Sequence, residues 1–356
     1  MTDTMKRLFT VLSLLLAFDT LLMAQPANPQ PHRNRRSMSQ YTTDTPMVHD
    51  PVMALEDSTY YLFATGLGVM QMTSTDRQTW TGYRRPVLAE IPAWTHDSVP
   101  GFRNHVWAPD VIRYHDRWWL AYSCSTFGRN TSAIGLASSP TLNFKDSLNY
   151  RWEDHGCLVA SREGRDAFNA IDPAFILDEN GTPWLTWGSF WDGIQIARLD
   201  TATMLIAQGE KPRTIARRVA LRDTLRAEPN PTSRFAGRNA IEAPFILRHG
   251  NYFYLFVSHD YCCRGIKSNY KVVVGRSRRV DGPYLDHTGR DMNAGGGRLV
   301  IEGDKKDFEA AGHNAAYHLP DGRDLFICHG YSIHHAGQSI LIQREIRWTE
   351  DGWPEL

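Results

Sequence analysis

Ala240 to Gly265 reads AIEAPFILRHGNYFYLFVSHDYCCRG. An acidic residue, Glu242, stands between Ile241 and Ala243-Pro244, and about ten residues later comes the aromatic run Tyr252-Phe253-Tyr254-Leu255-Phe256. Apolar neighbours desolvate a carboxylate, which disfavours its charged form and raises its pKa. A carboxyl group placed this way suits proton donation.

The same layout recurs along the chain. Aromatic or apolar strands are expected at Tyr60 to Ala64, Trp118 to Tyr122, Trp184 to Trp187, Tyr252 to Val257 and Asp324 to Cys328, roughly 60 to 70 residues apart. That period suits repeated four-stranded sheets. Each run is preceded by a short polar motif: His49-Asp50-Pro51, Ala108-Pro109-Asp110, Ile171-Asp172-Pro173, Glu242-Ala243-Pro244 and Gly312-His313-Asn314. Between motif and run lie hairpin signals such as Glu179-Asn180-Gly181 and His249-Gly250-Asn251. Third strands are expected at Val69 to Thr73, Ala133 to Ala137, Ile194 to Leu199, Lys271 to Gly275 and Ile340 to Ile346, and outer ones at Trp80 to Val87 and Trp152 to Val159. Five such repeats with almost no helical periodicity describe an all-β, five-bladed β-propeller. Two tandem sandwiches would leave the constant offset between motif and strand without a cause. In a propeller the motifs converge at one end of the central channel.

Composition narrows the partners. The 356 residues balance 39 Lys and Arg against 39 Asp and Glu, so no basic field points to nucleic acid and a neutral ligand fits best. Eleven Trp and fourteen Tyr suit sheet cores and sugar faces alike. Lys6-Arg7 and the apolar Leu8 to Met23 read as a signal peptide over residues 1–24, and hence a secreted or periplasmic protein with no membrane span in the mature chain; Asp19 interrupts the run, and an uncleaved anchor is the alternative. Residues 25–40, rich in Pro, Asn, Gln and Arg, read as a disordered spacer before a propeller over 41–356. Five cysteines leave at least one thiol free. A monomer is expected.

Asp-Pro at a strand entrance is ordinarily a turn or cap. Acids in three of the five repeats change that reading. Asp50, Asp172 and Glu242, taken as equivalent, would face one another across the axis, and their proximity would separate their pKa values. Such separation lets one carboxyl give a proton while another takes one. Asp110 stands after Ala108-Pro109, offset from the others, and reads as structural or supporting. A lone histidine such as His313 reads by itself as a hydrogen-bonded core residue.

Together, His49-Asp50-Pro51, Trp107-Ala108-Pro109-Asp110, Asn169 to Pro173, Ile241 to Pro244 and Gly312-His313-Asn314 resemble glycoside hydrolase family 43, from about Met47 to the end of the chain. His259 to Gly265 with Ser268-Asn269-Tyr270, and the ending Asp351-Gly352-Trp353-Pro354, are similar to the arabinan endo-1,5-α-L-arabinanases of that family. The resemblance implies an inverting hydrolase of arabinan, a pectin side chain. It implies Asp50 as general base, Glu242 as general acid and Asp172 as the acid that orients Glu242 and tunes its pKa. Inversion implies base and acid carboxyls roughly 6.5–9.5 Å apart. The resemblance also implies a channel cation, Ca2+ foremost, held through His313 and water in a structural or electrostatic role.

Trp107 and Ser189-Phe190-Trp191 are placed to reach the pocket and bind sugar, although Phe190 and Trp191 would serve equally as core cover. Asn169 is placed to donate to a sugar hydroxyl. Cys262 and Cys263 are read as thiols in preference to a disulfide between neighbours. An exo-acting α-L-arabinofuranosidase or β-xylosidase on the same scaffold, and a carbohydrate-binding propeller without catalysis, are the competing readings. A protein-interaction propeller would have no use for converging acids.

Overall fold

Apolar residues in the middle strands are contiguous because each strand faces two cores. In a computed structural model, which describes residues 40–220 and 239–356, the strand Arg117–Cys124 sends Trp118, Leu120, Tyr122 and Cys124 into one inter-blade core and Trp119 and Ala121 into the next. Tyr252–His259 divides likewise, with Tyr254 and Phe256 on one side and Phe253, Leu255 and Val257 on the other. A strand covered on both faces loses the polar alternation of a half-exposed one. Burying one such large apolar side chain contributes about 1.5–3 kcal/mol.

Five antiparallel sheets follow one another as blades. Blade 1 contains, from the channel outward, Val52–Glu56, Thr59–Ala64, Met70–Ser74, Trp80–Tyr83 and Gln40–Thr43. Blade 2 contains His105–Tyr114, Arg117–Cys124, Ser132–Ser139 and Glu153–Ser161, with Gly66–Leu67 paired to its first strand. Blade 3 is Ala174–Leu177, Pro183–Trp187, Ile194–Arg198 and Arg213–Ala216; blade 4 is Ile241–His249, Tyr252–His259, Lys271–Ser277 and Arg298–Ile301. Blade 5 is Phe308–His318, Asp324–Ser332, Ser339–Trp348 and Pro354–Glu355. The propeller expected from the repeats is therefore the fold.

Differences are local. The outer strand of blade 1 ends at Tyr83, short of Val87, because Pro86 has no N–H for the ladder. Val87 and Leu88 bond instead to the carbonyls of Val69 and Gly68. The outer strand of blade 2 is interrupted by bulges between Asp154 and Val159. Gln40, assigned to the spacer, already pairs with Tyr83. The signal peptide and the rest of the spacer lie outside the described residues.

Among the described residues no strand is exchanged between the first and last blades, since Gln40–Thr43 pairs within blade 1. Individual hydrogen bonds join them, among them Leu341 N to Pro46 O (2.9 Å), Met53 N to Tyr317 Oη (2.7 Å) and Gln343 Nε2 to Arg77 O (2.7 Å). The closing Gly352-Trp353 turn docks on blade 4, where Arg276 lies over the Trp353 ring at 4.4 Å.

Candidate active site

Each blade begins with one left-handed residue: Asp50 (φ 55°), Ala108 (41°), Asp172 (57°), Ala243 (55°) and His313 (52°). Such a backbone costs an L-residue about 1–2 kcal/mol, so the surroundings must impose it at all five places. They do so by gripping the N–H from the preceding blade. Thr65 Oγ1 accepts from Ala108 N (2.9 Å), Ser123 Oγ from Asp172 N (3.0 Å), Ser258 Oγ from His313 N (2.8 Å) and His329 Nδ1 from Asp50 N (3.1 Å). Blade 3 has Gly188 at the matching place, where a side chain would meet Gly193 O at 2.5 Å. Ala243 N turns instead to Asp172 Oδ2, at 3.2 Å.

This pattern corrects the equivalence assumed for the three acids. Asp50 and Asp172 occupy the left-handed position, whereas Glu242 precedes it by one residue. Ala243 takes that position ahead of Pro244, and the ladder slips between Glu242 and Phe245. The acids still converge: Asp172 holds the backbone beside Glu242, and Glu242 Oε2 accepts from Ser189 Oγ at 2.8 Å. All three are buried, at 6–8% exposure. Asp110 lies apart, its Oδ2 accepting Phe175 N at 2.7 Å, and burial raises its pKa to about 7. That agrees with a structural reading.

Charge separates the roles. Burial alone would raise the Asp50 pKa, but His313 and His49 overcome it and hold the carboxyl well below its usual value. Both imidazoles place Nδ1 on Asp50 Oδ1, at 2.9 and 2.7 Å. Thr65 Oγ1 donates to Oδ2. His329 Nδ1 lies 3.7 Å from Oδ1 but already accepts Asp50 N–H, and burial keeps this ring neutral, so no ion pair forms there. Burial raises the pKa of Glu242. It also raises that of Asp172, with the Glu242 and Asp50 charges adding to the effect and His313 opposing it. His313 is pushed up to about 9: burial opposes its charge, but Asp50 and the other two acids favour it more. One site thus favours the ionised form of one carboxyl and the protonated form of its neighbours.

The sugar-contact candidates divide. Ser189 serves Glu242 directly, which its assignment to substrate did not foresee. Asn169 is 3% exposed and its Oδ1 accepts from Ser132 Oγ (2.7 Å), while its amide nitrogen donates to no partner among the described residues. Trp107 is half-buried, its Nε1 donating to His105 Nδ1 at 3.0 Å. Phe190 and Trp191 are left-handed, half-buried and absent from the hydrophobic clusters, so they are not core cover. Phe190 packs 5.8 Å from Tyr261.

Sequence reasoning missed Thr65, His329 and Tyr270. Tyr270 is 1% exposed and close enough to Glu242 to oppose its pKa rise, yet its hydroxyl makes no well-formed hydrogen bond among the described residues. A Cβ at position 312 would lie 2.1 Å from the Tyr270 ring, which accounts for the glycine of Gly312-His313-Asn314. Cys262 and Cys263, read as thiols, are joined in a disulfide, with Cys263 left-handed and its N–H held by Tyr331 Oη at 2.7 Å. Cys124, Cys157 and Cys328 remain free. A cavity of about 410 Å³ in the other half of the channel, lined by Asp110, Phe175 and Tyr317 among others, includes none of the three acids or His313.

Comparison with known proteins agrees with the geometry. The family model described as "Glycosyl hydrolases family 43" matches residues 45–354. The extracellular exo-α-(1→5)-L-arabinofuranosidase ArbA of Cellvibrio japonicus is 43% identical over 87% of this chain and 86% of its own. The extracellular endo-α-(1→5)-L-arabinanase 1 of Bacillus subtilis is 35% identical over 86% of this chain and 87% of its own. The crystal structure of an exo-1,5-α-L-arabinanase from a bovine ruminal metagenomic library superposes with a TM-score of 0.80 at 49% identity, covering 88% of this chain and 97% of that one. On this sequence, fold and arrangement of acids, the chain belongs to glycoside hydrolase family 43.

Proposed function

We propose that the protein hydrolyses α-1,5-L-arabinofuranosyl linkages of arabinan with inversion, using Asp50 as base and Glu242 as acid. The carrying observation is the opposed electrostatics of these two carboxyls: two imidazoles hold Asp50 ionised, while Glu242 is buried with a raised pKa. Asp50 takes a proton from water as the oxygen attacks the anomeric carbon; Glu242 gives its proton to the departing sugar oxygen. General acid–base assistance of this kind contributes about 10²–10⁴ in rate. Asp172 orients the acid through Ala243 N–H, and burial together with the neighbouring Asp50 charge favours a protonated Glu242. Phe190, Trp191 and Trp107 would stack on furanose faces, and the Asn169 amide nitrogen would donate to a hydroxyl.

Endo action is the expectation from sequence. Two relatives named exo-acting share 49% and 43% identity with this chain, against 37% and 35% for two named endo-acting. On that ground we infer release from chain ends. Arabinose or one short oligomer as the sole early product supports it; an early ladder of oligomers returns the reading to endo. Proton NMR of the first product tests inversion, with β-anomer appearing before mutarotation; initial α-anomer contradicts it. The names of the relatives also support an extracellular enzyme. Among the described residues no helix is long and apolar enough to cross a membrane.

A channel cation fits His313. Nδ1 is on Asp50, so Nε2 would hold the ion in place of its proton. Beside it, Asn314 is 2% exposed and neither its Oδ1 nor its Nδ2 has a hydrogen-bond partner among the described residues. Water carried by the ion would satisfy both, as suits calcium with its preference for oxygen ligands. The bound ion would supply positive charge beside the carboxylates. Metal analysis of untagged protein should find one ion per chain, lost in His313→Ala; a metal-free active enzyme contradicts this.

A further inference from the structure

We propose that Cys262, Cys263 and His49 form a redox-gated binding site for a thiophilic divalent cation of the zinc and cadmium class, closed by the disulfide and opened by its reduction. The candidate ligand atoms of the three residues lie within 4.8 Å of one another, and Cys263 Sγ is 3.7 Å from His49 Nε2. Cys263 is exposed and Cys262 half-buried, so reductant and ion can both reach them. The loop is fixed against the imidazole, because Tyr331 Oη accepts Cys263 N–H at 2.7 Å and lies 2.9 Å from His49 Nε2.

The other side of the imidazole is equally prepared. His49 Nδ1 donates to Asp50 Oδ1 at 2.7 Å, so Nε2 is the unprotonated nitrogen; it now accepts from Tyr331 Oη and lies 3.7 Å from Cys263 Sγ, and an ion would take the place of that hydroxyl proton. A carboxylate behind a ligating histidine is the usual support of a metal site. Two sulfurs and one imidazole select zinc or cadmium over calcium, with water or Tyr331 Oη as a fourth ligand. The site is therefore distinct in chemistry from the one proposed at His313.

The chemistry balances with a phosphine reductant. Phosphorus attacks one sulfur, the S–S bond breaks, and water converts the phosphonium to phosphine oxide, so that two electrons and two protons end on Cys262 and Cys263 Sγ. The cation then displaces both thiol protons and bonds to the two sulfurs and Nε2.

The test uses the protein in a Cys157→Ser background, which removes the exposed free thiol. After phosphine reduction and anaerobic desalting, Cd2+ titration should raise a near-ultraviolet sulfur-to-cadmium charge-transfer band that saturates at one equivalent. Unreduced protein, and reduced protein carrying Cys262→Ser and Cys263→Ser, should show none. His49→Ala should weaken binding by roughly tenfold or more. No band in the reduced protein, an equal band in the unreduced protein or the double variant, or unchanged affinity in His49→Ala overturns the proposal. The unreduced protein serves as the control should the double variant fail to fold.

Discussion

Thr65 occupies a place where one hydroxyl serves both the ring and the site. Its Oγ1 accepts Ala108 N–H at 2.9 Å and donates to Asp50 Oδ2. Thr65→Ala would leave the Ala108 N–H, on a residue only 1% exposed, without a partner, at a cost of about 1–3 kcal/mol. It would also remove a charge-assisted hydrogen bond of roughly 1.5–3 kcal/mol. Because both effects come from one hydroxyl and the remaining donors can adjust, a total of about 2–4 kcal/mol is expected. Thr65→Ser keeps both bonds and removes one methyl, worth about 0.8 kcal/mol. Denaturant midpoints, with slopes compared to establish a common unfolded state, measure both variants. The Ala variant should fall well below the Ser variant. Equal losses, or an Ala variant within about 0.5 kcal/mol of the parent, the scatter of ordinary surface changes, would refute the idea that the left-handed residues are gripped from the preceding blade.

Ser189→Ala removes a donor from the charged form of Glu242, whose pKa burial has already raised; the basic limb of kcat/KM should move to higher pH, and a shift to lower pH contradicts the assignment. Asp110, with a folded-state pKa of about 7 against an ordinary 3.8, is more readily protonated folded than unfolded, so its contribution to stability is greatest below pH 4 and declines until pH 7. Asp110→Asn keeps an acceptor for Phe175 N–H and cannot ionise, so its advantage over the parent should grow across that window; a constant difference from pH 4 to 8 refutes the linkage. Tyr270→Phe should lower kcat on arabino-oligosaccharide more than on an aryl arabinofuranoside whose leaving group needs little protonation, and an equal loss on both would detach Tyr270 from the Glu242 proton.

The blades were legible because the signals that define them are local. Hairpin residues and aromatic runs report strand period, and the polar motifs recur with the runs at a spacing that only repetition explains. Asp50 and Asp172 were legible for the same reason. The exact register of Glu242 was not, because Asp-Pro and Glu-Ala-Pro look alike in sequence while the left-handed position belongs to Ala243 in the second. His329 lies within a strand with no motif around it, and it replaces the hydroxyl that Thr65, Ser123 and Ser258 supply in other blades; such a substitution is visible only once the blades are superposed. Ser189 was found for a neighbouring reason, its place after an aromatic strand, and its bond to Glu242 depends on a contact between blades 3 and 4. The Cys262–Cys263 disulfide depends on the loop conformation around a left-handed Cys263, which residue type does not reveal.

If Glu242 and Asp50 divide acid and base work on an arabinan linkage, hydrolysis must fail when either carboxyl is replaced by its amide. Hydrolysis of linear α-1,5-arabinan by the parent, Glu242→Gln and Asp50→Asn, followed by reducing-end release under identical conditions, tests it most directly. The parent should release reducing ends and each variant should fall by about 10² or more, with thermal unfolding of the variants close to the parent. Release by either variant at a rate comparable to the parent, or none by the parent on arabinan, would contradict it.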